Sequence, residues 1–208
     1  MATIDAVVFD IGRVLLNWDP EGYYDRRIGR AAREALFAAV DLEGMNLRSD
    51  KGEDIAALVE EYAAAHPAHA DLIRLWHSDW LQMAHSLIPG SVRLLRALRS
   101  RGVPVYALTN FGERTLAMAD AAYPALTEFD DRFVSATLRA IKPDPEIYAR
   151  LETETGVAPE RLFFTDDRPE NIEAARARGW QGHLFEGPKG LARRLVAERL
   201  LPEDAAAV

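Results

Sequence analysis

Four short stretches carry residues able to handle phosphate and a metal ion. Asp10 closes the apolar run at 4–9 (IDAVVF), Thr109-Asn110 closes 103–108 (VPVYAL), and Thr165-Asp166-Asp167 follows 162–164. Lys142, in Ile141-Lys142-Pro143, precedes a candidate helix. Asp10, Thr109-Asn110, Lys142 and Asp166-Asp167 offer three carboxylates, a hydroxyl, an amide and an ammonium. Carboxylates brought together repel one another, and a hard divalent cation with oxygen ligands relieves that repulsion. Magnesium takes one or two carboxylates, waters and a substrate phosphate. Lys142 and the Thr109-Asn110 pair could then hold the remaining phosphate oxygens. The plainer reading is that Asp and Asn punctuate strand ends as turn formers. It suffices for any one of these residues, and less well for all of them at successive strand ends.

For these residues to meet, the runs before them must be neighbouring strands. Runs apolar on both faces suit a parallel sheet covered by helices on each side, with ligands bound beyond the carboxyl ends of the strands. Helical patterns alternate with the runs after residue 88. Leu94, Leu95 and Leu98 share a face, with Gly102 placed to end their helix. Asp144-Pro145 reads as an N-cap and first helical residue, and Pro169 and Gly179 bracket Ile172, Ala175 and Arg176. The pattern predicts an α/β, doubly wound parallel sheet. Residues 18–87 differ: Leu36, Phe37 and Val40, then Ile55, Leu58, Val59 and Tyr62, then Leu72, Ile73, Trp76, Trp80 and Met83 form successive helical stripes with no strand between. The expectation is a core of residues 1–17 and 88–208 interrupted by an α-helical insert at 18–87. Residues 204–208 form an Ala-rich tail expected to fray.

Composition narrows the partners. The chain has 208 residues, 49% hydrophobic and 28% charged, enough for one sizeable domain with an insert. Cysteine is absent, which excludes disulfides, thiol nucleophiles and thiolate metal sites. Basic residues number 25 against 33 acidic, a net charge of −8, so a nucleic acid partner is not expected. No apolar run is long enough to span a membrane, and Met1-Ala2-Thr3-Ile4-Asp5 lacks a basic leader, so a cytoplasmic location is expected.

The segments Val7-Val8-Phe9-Asp10-Ile11-Gly12-Arg13-Val14-Leu15, Leu108-Thr109-Asn110, Ile141-Lys142-Pro143-Asp144-Pro145 and Phe163-Phe164-Thr165-Asp166-Asp167, with Asn171 beyond, resemble in order and spacing the motifs of the haloacid dehalogenase superfamily. The resemblance covers nearly the whole chain, and the insert resembles that family's small α-helical cap. It implies a Mg²⁺-dependent phosphatase acting on a small phosphorylated metabolite. Carried over residue by residue, Asp10 would be the nucleophile that forms an aspartyl-phosphate. Asp10, the Gly12 carbonyl and Asp167 would hold the metal, with Asp166 a weaker contributor or a group behind them. Thr109 and Asn110 would hold the phosphoryl group, and Lys142 would balance charge and orient Asp10.

One position departs from the pattern. Most phosphatases of the family carry a general acid and base two residues after the nucleophile, where this chain has Gly12. Either the leaving group needs little protonation, or Asp19, a cap residue or water substitutes, or hydrolysis is vestigial and the protein binds or regulates. Glycine is normal here in the α-glucose-1-phosphate phosphatase-like branch, which the Asp-Asp-x-x-x-Asn form also resembles. Dehalogenase relatives need no metal, but they lack the late acid pair that this chain keeps in Asp166-Asp167. A cap lysine serves the phosphonatases, yet Lys51 sits in Ser49-Asp50-Lys51-Gly52-Glu53, which reads as a solvated turn. Receiver domains place their acids in the reverse order.

Other residues suit plainer roles. Trp76 and Trp80 read as core, His66 and His69 as a solvated loop, and His77 and His85 as structural. Arg13 either adds charge near the phosphate or points outward. Asp19-Pro20 reads as a turn at the entry to the insert.

Overall fold

The computed structural model describes residues 3–203, which leaves the Ala-rich tail at 204–208 outside the described residues. β1 (Ala6–Phe9) is followed by a helical block: α1 (Pro20–Ile28), α2 (Arg30–Ala39), α3 (Leu42–Asp50), α4 (Ile55–Ala65), α5 (Ala70–Ser78) and α6 (Trp80–Met83). The chain then alternates through α7 (Pro89–Ser100), β2 (Val105–Thr109), α8 (Glu113–Ala122), β3 (Asp131–Val134), α9 (Ser135–Leu138), α10 (Pro145–Thr155), β4 (Leu162–Asp166), α11 (Pro169–Ala177), β5 (Gln181–Leu184) and α12 (Pro188–Ala197).

The strands form one parallel sheet in the order β3-β2-β1-β4-β5. β1 sits at its centre, Val7 pairing with Val105 on one side and with Phe163 on the other. Alternate residues of the central strands serve two cores. Val7, Phe9, Val105, Ala107 and Phe163 pack with α7, α12 and the helical insert, while Ala6, Val8, Leu108, Leu162 and Phe164 pack with α10 and α11. Burial on both faces explains why these strands read as continuous apolar runs. The chain runs from β1 to β2 on one side and reaches β4 on the other, so the crevice of this topology opens at the carboxyl ends of β1, β2 and β4.

Two strands were not foreseen. Asp131–Val134 has only two apolar residues, and Gln181–Leu184 contains a glycine and two polar side chains. As edge strands they are paired on one side and partly exposed, so neither shows an uninterrupted apolar run. The other strands shift slightly from expectation: β2 begins at Val105 because Pro104 has no N–H to donate, and β4 extends through Thr165 to Asp166.

The three apolar stripes of the insert become the buried faces of α2, α4 and α5–α6, and Trp76 and Trp80 are core residues as expected. α1 and α3 lacked such stripes. The supposed solvated turn at 49–53 is corrected: Ser49 and Asp50 form the last turn of α3, and Ser49 is buried. Lys51 is exposed. His66 Nδ1–H donates to the Tyr62 carbonyl at the end of its own helix, 3.0 Å away. No helix among the described residues is long and apolar enough to cross a membrane.

Candidate active site

Asp10 leaves the end of the central strand directly into a tight turn. The Ile11 carbonyl accepts from the N–H groups of Val14, Leu15 and Leu16, and Arg13 takes a left-handed backbone with φ 55°. That conformation is unfavourable for a non-glycine residue and fits a loop shaped by its surroundings. Arg13 itself is exposed and its Nε donates to the Trp18 carbonyl at 3.3 Å, yet its charge partly opposes the upward shift of Asp167. Asp10 is buried, and its Oδ1 accepts from the Ile11 N–H at 2.7 Å and pairs with Lys142 Nζ at 2.9 Å.

Lys142 bridges two carboxylates, with its Nζ 2.9 Å from Asp10 Oδ1 and 2.7 Å from Asp166 Oδ2, all three groups being buried. Burial opposes the ammonium, but the two carboxylates outweigh it and raise its pKa. Burial likewise pushes the Asp10 carboxyl well above the usual range, Asp166 and Asp167 add to that, and Lys142 opposes it. The lysine is therefore the charge that makes two adjacent buried carboxylates tolerable.

The lysine is positioned by Asn110. The Asn110 side chain donates to the Lys142 carbonyl at 2.9 Å and accepts from the Lys142 N–H at 2.8 Å. This reciprocal pair ties the loop after β2 to the segment before α10, and both ends of the amide are consumed by it. Thr109, which precedes it, is fully buried, and its hydroxyl has no partner. An unpaired buried hydroxyl is costly, so this one is a natural donor to a bound anion. Asn110→Ala is expected to destabilise the protein by about 1–3 kcal/mol, because it leaves two backbone groups unpaired. Urea unfolding measures this, and an unchanged midpoint would show that the two loops are held by other contacts.

Asp166 and Asp167 end β4 with different surroundings. Asp166 accepts from Lys142, from the Arg168 N–H at 2.8 Å and from Asn171 Nδ2 at 3.0 Å on both oxygens. Its acceptor capacity is essentially filled. Asp167 is partly exposed, and burial followed by the charge of Asp166 raises its pKa. One ligand atom from each of Asp10, Asp166 and Asp167 lies within 4.8 Å of the others, the one such group of three metal-ligating side chains among the described residues. Hard oxygen donors of this kind fit magnesium.

Gly12 lies in the turn beside Asp10, and a Cβ placed there would meet no atom within 4 Å. Asp19 is not free to act at a distance: its Oδ1 caps α1 by accepting from the Gly22 N–H at 2.9 Å, and its Oδ2 pairs with Arg26 at 3.3 Å.

The insert also reaches this loop cluster, through groups that the sequence reading missed. Ser135 Oγ of α9 donates to the Asp50 carbonyl at 2.6 Å and accepts from the Phe111 N–H at 2.9 Å. A Cβ on Gly112 would come 2.3 Å from Ser49 Oγ, so only glycine allows α3 to approach so closely. Trp80 packs on Phe111 with ring centroids 5.6 Å apart. Asp50 accepts from Asn46 Nδ2 at 3.1 Å, and burial, followed by the charge of Asp10, pushes its carboxyl up to about 7. A run such as Ser-Asp-Lys-Gly-Glu has the composition of a turn, so the only signal for Asp50 was its helical spacing from Asn46.

Residues 4–179 match the family of haloacid dehalogenase-like hydrolases. Among characterised relatives, flavin mononucleotide hydrolase 1 of Arabidopsis thaliana, a chloroplast protein, is 31% identical over 121 residues, covering 56% of this chain but only 47% of its own length. The sesquiterpene phosphatase astK of Aspergillus oryzae is 27% identical over 195 residues, 88% of this chain and 91% of that one. A family enzyme from Bacteroides thetaiotaomicron, solved with magnesium and inorganic phosphate, superimposes with a TM-score of 0.69 at 23% identity, covering 88% of this chain and 95% of that one.

Proposed function

Because the chain belongs to the haloacid dehalogenase-like hydrolase family, we propose that it is a magnesium-dependent phosphatase of a small phosphorylated metabolite, with sugar phosphates among the candidate substrates. The observation that carries this reading is Asp10 lying within metal-sharing distance of Asp166 and Asp167 while Lys142 pairs with it. Relatives named for hydrolysis of a flavin mononucleotide and for a sesquiterpene phosphatase, and a fold relative solved with magnesium and phosphate, support it.

On this reading Asp10, the Gly12 carbonyl and Asp167 hold the ion. Asp166, with its acceptors filled, stands behind them and fixes Lys142 and Asn171. A bound magnesium ion supplies positive charge that offsets the repulsion between a carboxylate and a phosphate dianion. Asp10 attacks phosphorus with one carboxylate oxygen and forms an aspartyl-phosphate, which water then hydrolyses. A covalent intermediate divides one difficult displacement into two easier ones. Lys142 keeps Asp10 ionised and aimed. The unpartnered Thr109 hydroxyl donates to a phosphoryl oxygen, and Asn110 acts through the Lys142 backbone that it holds. Residues 18–87 serve as a cap over the loops at the carboxyl end of the sheet.

A screen of phosphorylated metabolites for phosphate release, run with magnesium and with a chelator, tests the proposal. Release should fall to background in the chelator and return on adding magnesium. Release that survives chelation would overturn metal dependence, and no release from any substrate, acyl and sugar 1-phosphates included, would overturn the phosphatase reading. That last result would favour the alternative raised by Gly12, a protein that binds phosphate without turning it over. A dehalogenase would release halide from 2-haloacids without metal, and the retained late acid pair Asp166-Asp167 disfavours it.

A further inference from the structure

If Asp10 transfers a phosphoryl group, the reaction still needs a proton source, because position 12 is a glycine and Asp19 is committed to capping α1. We propose that Asp50, reaching over from the helical insert, is the catalytic acid and base. The inference rests on the phosphatase reading above.

Asp50 is held by contacts on three sides. Its carbonyl is gripped by Ser135 Oγ, which also binds the Phe111 N–H of the loop after β2. Its carboxylate accepts from Asn46 Nδ2, and the Asn46 oxygen accepts from Nε1 of the buried Trp76 at 3.1 Å, which fixes the amide's orientation. The Gly112 N–H favours its charged form from the same loop that carries Thr109 and Asn110. Among the described residues no basic side chain pairs with it: the nearby Arg139, just past α9, is bound instead to the carbonyls of Gly52 and Lys51, at 2.7 and 3.3 Å.

The charge of Asp10 at the end of β1 raises the Asp50 pKa, and that of Lys142 from the segment before α10 lowers it, with Ser135 and Phe111 tying Asp50 to the loop beside them. A carboxyl brought near 7 by burial and by Asp10 exists in both forms at neutral pH, as a residue that gives and retrieves a proton requires. A purely structural latch could have been built from the Ser135 contact alone, which uses the backbone and not the carboxylate.

The steps balance. In the first, an Asp10 oxygen bonds to phosphorus as the bond to the leaving oxygen breaks. The electron pair goes to that oxygen, and the Asp50 carboxyl gives it a proton, releasing an alcohol. In the second, water bonds to phosphorus and loses a proton to the Asp50 carboxylate. The Asp10–phosphorus bond breaks, returning the Asp10 carboxylate and hydrogen phosphate.

The test is Asp50→Asn in the full chain with magnesium, assayed on an alkyl phosphate and on acetyl phosphate, whose acetate leaves without a proton. For the alkyl phosphate kcat/KM should fall about 10²–10⁴-fold. For acetyl phosphate it should fall less than about tenfold, because only the proton transfer is missing. With acetyl phosphate, whose first step is spared, acid-quenched protein should carry more phosphate on Asp10, since the second step has lost its base. In the unsubstituted protein, kcat/KM for the alkyl phosphate should decline as pH rises through about 7, and Asp50→Asn should remove that decline. Equal losses on both substrates with no trapped phosphate, or a basic limb that persists, would overturn the assignment. If the Asn variant does not fold, Asp50→Ser carries the same readings with a smaller side chain. Asp10→Asn separates the two levels. Turnover that survives it removes the phosphatase mechanism itself, whereas a dead Asp10→Asn beside uniform losses in Asp50→Asn removes only the role of Asp50.

Discussion

Asp10→Asn should lower kcat by about 10⁴-fold or more on every phosphorylated substrate, leaving a folded protein that cannot be labelled with phosphate. Removing the nucleophile of a covalent mechanism commonly costs this much, because the remaining groups act only in concert with it. The amide keeps the shape of the carboxylate, and its oxygen can still accept from the Ile11 N–H. Stability should not suffer. Burial raises the Asp10 pKa in the metal-free protein, so its ionised form is a net cost to folding above that pKa. The variant should therefore melt at or above the unsubstituted protein at pH 8 in a chelator, with the gap closing toward pH 4. Turnover above about one part in a hundred would remove Asp10 as nucleophile.

Lys142→Met should damage both stability and chemistry. It removes the one cation between Asp10 and Asp166, whose distances to Nζ are 2.9 and 2.7 Å. Breaking a buried pair by deleting one partner costs about 3–5 kcal/mol, since the surviving charge has nowhere to go. Here two carboxylates survive. Without the lysine the Asp10 carboxyl loses the cation that opposes its upward shift, so the loss should be largest at pH 8 and shrink toward pH 5 as Asp10 takes up a proton. Urea unfolding at the two pH values reads this directly. Saturating magnesium should restore part of the stability at pH 8, because a ligand that binds only the folded state shifts the equilibrium toward it. Activity should fall about 10²–10³-fold even with magnesium, as expected when a preorganised charge is removed from a displacement at phosphorus. A variant that unfolds at the same urea concentration at both pH values would show that Asp10 and Asp166 do not depend on this ammonium.

What was legible in the sequence follows from which contacts are local. The ends of β1, β2 and β4 were readable because each strand is apolar on both faces and each polar terminus interrupts that run. Their convergence follows from parallel pairing around β1, a rule of topology that needs no side-chain detail. β3 and β5 were not readable, since edge strands are paired on one side only and so tolerate polar residues such as Asp131 and Gln181. The insert's helices were legible where one face is apolar, and α3 was not. The commitment of the Asn110 side chain to Lys142, 32 positions away, is set entirely by tertiary packing. The same holds for Asp50, whose backbone is tied to the loop after β2 by Ser135, 85 positions along the chain. A turn-like composition describes the neighbours of a residue along the chain, and nothing of what later folds against it.

The open space beside Gly12 has an evolutionary consequence. A glycine codon ending in a pyrimidine becomes an aspartate codon through one base change, and here the first carbon of the new side chain would meet no atom within 4 Å. A chain that placed an acid at position 12 while keeping Asp50 would have two proton donors at once, so selection could later discard either without passing through an inactive ancestor. With the donor on the core, proton transfer would no longer depend on how the insert is seated, and the insert's sequence would be free to drift toward other substrates. With the donor on the insert, catalysis and insert evolve under one constraint. If Asp50 supplies the proton, the crossing between those two regimes runs through one gain and one later loss, with a working acid at each stage.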